Sequence, residues 1–224
     1  NPETIVEELI GRAIMADKAA YMQLHQYSSN PYDKLQEAAT QGKSKVLSEG
    51  EFKPSIFEMI ASCNTDQSDT AAVKLLTLAA INPKAVEGIE RLLNNGSINL
   101  TKVANQAKQE DPAKTASALG HLLDRGNLHK SDQKGAIKIL GDIAKESPVS
   151  SAGAIAAKAL TRAVKKQPME IAKDAALNLR EAAQSGNQHA LFGLESLMKD
   201  TDPNKQMLAV ENLGEIAKSG SSSS

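Results

Sequence analysis

The sequence predicts an all-α fold, an α-solenoid of about five to six antiparallel helix pairs. Three observations predict it. Apolar residues recur at the 3.6-residue helical period in eight successive stretches, and no stretch shows the strict alternation of a strand. Equivalent positions of alternate stretches, Val103, Leu140, Leu179 and Leu213, fall 34 to 39 residues apart, the range of two-helix repeats. Aromatics are only 3% with no Trp, so the core must come from Leu, Ile, Val and Ala, which suits closely packed helices better than a sandwich of sheets.

In chain order, residues 3–27 are expected to form one long helix, with Ile5, Leu9, Ile14 and Met22 among its apolar positions and Pro2 near its first turn. Pro31 and Gly42 bracket a second, short helix with Leu35, Ala38 and Ala39 on one side. Five of the six aromatics (Tyr21, Tyr27, Tyr32, Phe52, Phe57) lie between residues 21 and 57. They read either as a bulkier cap over the exposed end of a stack or as an aromatic docking site for a partner. The expected division is therefore 1–53 as capping helices, 54–220 as helical repeats and 221–224 as a flexible serine tail.

Ile56, Met59 and Ile60 with Val73, Leu76, Ala79 and Ala80 make a first, poorer copy of the pair. Thereafter the first helices carry Val86-Ile89-Leu92-Leu93, Ala116-Leu119-Leu122-Leu123, Ala157-Leu160-Ala163-Val164 and Leu191-Leu194-Leu197-Met198. Each is closed by a breaker: Gly96, Gly126, Pro168 or Pro203. The second helices carry Leu100-Val103-Ala107, Ile137-Leu140-Ile143-Ala144, Ala176-Leu179-Ala182-Ala183 and Val210-Leu213-Ile216-Ala217. One such hairpin cannot bury its stripe alone, so neighbours must stack.

Residues 187–220, with Leu194, Leu197, Asp202-Pro203, Ala209 and Leu213-Gly214-Glu215-Ile216, resemble a HEAT repeat of the short type found in phycobilisome lyases. Lys205-Gln206 stands where that family commonly has Val-Arg after the turn. The resemblance implies a HEAT- or armadillo-like right-handed superhelix whose second helices line the concave side. It covers one repeat well and residues 83–186 by spacing only.

Little in the chain points to reaction chemistry. The four histidines (His25, His121, His129, His189) are scattered, with no His-Glu-x-x-His pair, and no glycine-rich phosphate loop occurs. Cys63 stands alone, so disulfides within the chain and Cys-cluster zinc sites are excluded, and a buried structural thiol is expected rather than a nucleophile. No catalytic residue, metal or cofactor is assigned. A net charge of −1 gives no global field to recruit nucleic acid, and no apolar run is long enough to span a membrane. A cytoplasmic location is the expectation from the single cysteine, and residue 1 is not Met, so a preceding segment is expected as well.

Two surface features carry the functional reading. Lys158, Arg162, Lys165 and Lys166 fall opposite the apolar stripe of their helix, either as a solvated face or as a basic docking patch. At 100° per residue, the positions facing away from the second-helix stripe recur in three rows. They are Asn105, Asp142, Glu181, Glu215; Lys108, Lys145, Gln184, Lys218; and Thr101, Lys138, Leu177, Glu211, with Leu177 the apolar member of its row. The expected function is a non-enzymatic scaffold or adaptor that binds a protein partner through this concave face or through the aromatic N-terminal end. The alternatives are a repeat-built enzyme or bilin lyase, and a nucleic-acid-binding repeat protein, which the charge and missing aromatics disfavour. The oligomeric state is left open.

Overall fold

The computed structural model describes residues 2–31 and 33–221; among them thirteen α-helices occur and no strand. Contacts divide the chain into two compact units, residues 1–99 and Leu100–Ser224. Tyr32 and residues 222–224 of the expected serine tail lie outside the described residues.

In the first unit, α1 (Pro2–Ile14), α2 (Lys18–Ser28) and α3 (Asp33–Glu49) pack on one another. A second trio follows: α4 (Pro54–Ala61), α5 (Ser68–Leu78) and α6 (Pro83–Asn94). The expected single helix over 3–27 is two helices, α1 and α2. The break has a local cause: the Asp17 carboxylate accepts the Ala20 N–H at 3.1 Å and so caps α2, while Arg12 reaches back to the same carboxylate at 2.7 Å. Ala16, between them, takes φ of 63°, a left-handed conformation that costs an L-residue about 1–2 kcal/mol. Ala16→Gly removes that strain and adds back some unfolded-chain entropy. A net gain of about 0.5 kcal/mol is expected in urea melts, and a loss of stability would contradict the strained turn.

The helix expected to end at Gly42 instead runs on to Glu49 as α3. Gly42 serves packing: a β-carbon there would meet the Ile10 side chain at 2.8 Å, so its absence lets α1 and α3 approach closely. Two of the aromatics in the aromatic-rich segment are core, and Tyr27 is half-buried. Tyr21 and Phe57 are fully buried, and the Tyr21 hydroxyl donates to Gln67 Oε1 at 2.7 Å. Among the described aromatics of this segment, Phe52 projects outward, at 81% exposure.

The second unit holds α7 (Leu100–Glu110), α8 (Pro112–Arg125), α9 (Lys130–Glu146), α10 (Ser151–Lys166), α11 (Met169–Gln184), α12 (Gln188–Leu197) and α13 (Pro203–Ser221). Each helix packs on its neighbour in sequence and on the next but one. Two layers result: α7, α9, α11 and α13 lie side by side, and so do α8, α10 and α12. The boundaries follow local chemistry. Asp111 and Pro112 open α8, Ser150 caps α10 through the Gly153 N–H, and Gly126 and Gly186 close helices with φ of 74° and 93°. Leu119, Leu122, Leu140, Leu160, Leu179 and Leu194 are sealed between the layers. Each contributes on the order of 2 kcal/mol by leaving water.

The last stripe departs from its expected register. Val210 is 57% exposed, and the buried side turns instead to Leu208, Ala209 and Asn212. The reason is that α13 packs on α11 and α12 without the further neighbour that covers the flank of α9 or α11.

Candidate functional site

The layer α7–α9–α11–α13 brings together members of two of the three predicted rows. Lys108 Nζ reaches Glu146 at 3.1 Å, from α7 to α9. Lys145 Nζ reaches Glu181 at 2.9 Å, from α9 to α11, and Asp142 on its own helix at 3.6 Å. The Glu181 carboxylate beside it holds the Lys145 ammonium above its usual pKa. Gln184 donates to Ser219 Oγ at 3.1 Å, from α11 to α13, and Lys218 pairs with Glu215 at 2.7 Å. The Lys108–Glu146, Lys145–Glu181 and Gln184–Ser219 contacts therefore act as rungs between neighbouring helices, while Lys218–Glu215 stays within α13. A further rung lies near the helix starts, where Lys130 and Lys134 of α9 both pair with Glu170 of α11 and hold its carboxyl down to about 2.

Five predicted positions stay outside these pairings, among them Thr101, which is half-buried, and Glu211, which is exposed. Asn105 and Lys138 are exposed, and Leu177 is 39% exposed. Leu177 lies one turn before Arg180 on the same face of α11. Between α11 and α13 a cleft of about 470 Å³ is lined by Arg180, Val210, Glu211, Glu215 and Lys218. Glu211, Glu215 and Lys218 are legible in the sequence as row members; Arg180 and Val210 are not, because they lie off the side opposite the expected stripe.

On the other layer, the predicted basic patch is partly spent. Arg162 Nε and Lys166 Nζ both hold Asp124 of α8, at 2.9 and 3.0 Å. Lys165 is exposed, and its backbone oxygen accepts from Lys205. Lys158 is exposed and opens onto a second cleft, between α10 and α12.

The first unit contains a polar cluster that the sequence did not reveal. Lys43, buried on α3, directs its ammonium at Asp66 (2.8 and 3.1 Å), His25 Nδ1 (3.2 Å) and Ser28 Oγ (3.3 Å). An ammonium can only donate, so Nδ1 of His25 accepts here. Burial pushes the Asp66 carboxyl upward, but the Lys43 ammonium outweighs it and holds the pKa below the usual value. All three ammonium protons have acceptors. The cluster ties α2, α3 and the α4–α5 turn together, a positioning role rather than a nucleophilic one.

Cys63 is buried, its thiol directed at the Met59 carbonyl at 3.2 Å, and burial raises its pKa. His121 and His189 lie exposed on α8 and α12, and His129 is exposed at the start of α9. No three His, Cys, Asp or Glu side chains among the described residues gather into a metal-holding group, and no helix there is long and apolar enough to cross a membrane. No protein-family model matches this chain, and a search of characterised proteins returns no significant match.

Proposed function

We propose that this chain is a helical-repeat scaffold of the HEAT-like type that binds a protein partner along the α7–α9–α11–α13 layer. One observation carries the reading. The rungs Lys108–Glu146, Lys145–Glu181 and Gln184–Ser219 hold that layer in register, while Leu177, Arg180, Val210 and Glu211 remain accessible beside a cleft. A half-exposed leucine and valine among satisfied charges match the composition of protein-binding surfaces, which set a few apolar anchors within a polar rim. The HEAT-like superhelix itself belongs to this proposal, supported by the 34- to 39-residue spacing and by the next-but-one packing of helices in the second unit.

Leu177→Asp tests the reading. Its side chain is accessible, so the melting temperature is expected to stay within a few degrees of the parent, while affinity for a captured partner falls about tenfold or more. A pull-down from the native host should recover a protein with the parent chain and lose it with Leu177→Asp. A large melting shift with unchanged capture would assign Leu177 to the core and remove this face from the proposal.

A further inference from the structure

The cleft between α10 and α12 lies on the opposite layer from the face just proposed. It has a volume of about 340 Å³, enough for one or two side chains rather than a large cofactor. Phe192, the one aromatic outside residues 21–57, stands in its wall at 56% exposure. Lys158, Arg162 and His189 also line it. Gly193 sets the approach of the two helices, since a β-carbon there would overlap the Thr161 hydroxyl. The cleft is therefore built by the packing of α10 on α12, with an aromatic wall and cations beside it.

Charge decides what fits. The lining holds two cations, Lys158 and Arg162, and no carboxylate; Asp124 of α8, which Arg162 holds, is shared with Lys166, so a positive surplus remains around the cleft. The second unit as a whole carries 17 Lys and Arg against 14 Asp and Glu, although the full chain is slightly acidic. Nucleic acid is a poor match, because its closely spaced phosphates would need a longer run of cations than Lys158 and Arg162 supply. An anionic membrane is also a poor match, since stable adsorption draws on clusters of about four to eight basic residues. A short acidic peptide with one large apolar side chain fits both features. Its carboxylates would meet Lys158 and the outer edge of Arg162, and its apolar side chain would pack on Phe192.

We propose that this cleft is a second docking site, which takes an acidic peptide segment of a partner protein with a single aromatic or large aliphatic anchor. Together with the face carrying Leu177, it gives the chain two separate binding surfaces, as an adaptor requires.

The test uses the full chain and a short fluorescein-labelled peptide of aspartate and glutamate around one tryptophan, read by fluorescence polarisation at low and physiological salt. Lys158→Glu and Phe192→Ser are both surface changes, and circular dichroism melts verify their folding. Each is expected to weaken peptide binding about tenfold, and replacing the peptide's tryptophan with glycine to do the same. Leu177→Asp should leave this peptide's affinity unchanged, so failure of this site and failure of the concave face are distinguishable. No binding by the parent chain overturns the proposal, and so does equal binding by folded Lys158→Glu and Phe192→Ser. Retention on phosphatidylserine vesicles that is lost in Lys158→Glu, without a peptide effect, assigns the patch to lipid and overturns it too.

Discussion

Asn187→Ala is expected to destabilise the second unit by about 3 kcal/mol. Asn187 is fully buried, and each end of its amide is used. Its oxygen accepts the Ala190 N–H at 3.1 Å and caps α12. Its nitrogen donates to the Ala144 carbonyl near the end of α9 at 2.9 Å and to the Gly153 carbonyl in the first turn of α10 at 3.2 Å. One side chain thus fixes three helix ends. Alanine removes the cap, worth about 1 kcal/mol. It also strips a donor from two interior carbonyls, each costing about 1 kcal/mol or more if left unsatisfied. Asn187→Asp separates these contributions: the cap acceptor survives, but a carboxylate then faces two carbonyl oxygens. It should be at least as damaging as alanine in urea melts. If aspartate instead restores stability, the cap alone matters and the bridging role is wrong.

Gly153→Ala is expected to cost about 2–3 kcal/mol, although alanine is ordinarily the better helix former by about 1 kcal/mol. The β-carbon would fall on the Ser147 carbonyl oxygen, with the Ser147 carbonyl carbon at 2.9 Å and Asn187 Nδ2 at 3.2 Å. Backbone, not a flexible side-chain end, stands in the way, so relief requires moving the α9–α10 turn. Because the Asn187 contacts flank that turn on both sides, the double variant should cost less than the two single losses combined. Strict additivity in a double-mutant cycle would show that the two sites are uncoupled.

The helical stretches from residue 54 onward were legible because their apolar period is strong and their breakers are chemically plain. Gly126, Pro168 and Pro203 all stand at helix boundaries. The same logic failed near the N-terminus for identifiable reasons. Asp17 is a capping residue within residues 12–28, which hold no Gly or Pro, and Gly42 reads as a stop although it is a close-approach position inside α3. Row membership of Lys145, Glu181 and Lys218 could be read from helical phase, since residues one repeat apart share a face. Their pairing could not, because it depends on the lateral offset of neighbouring helices. Arg162 on Asp124 and Asn187 on Ala144 span 38 and 43 residues and obey no local pattern. The Lys43 cluster escaped for the same reason, its partners being drawn from α2 and the α4–α5 turn.

On the proposed function, a partner lies along the α7–α9–α11–α13 layer, anchored beside α11 and α13. Hydrogen exchange of the chain, alone and with the protein captured by pull-down, tests this most directly. Added protection is expected in residues 173–184 and 207–218, erased by Leu177→Asp. Protection confined to the first unit, or recovery of no partner at all, contradicts it.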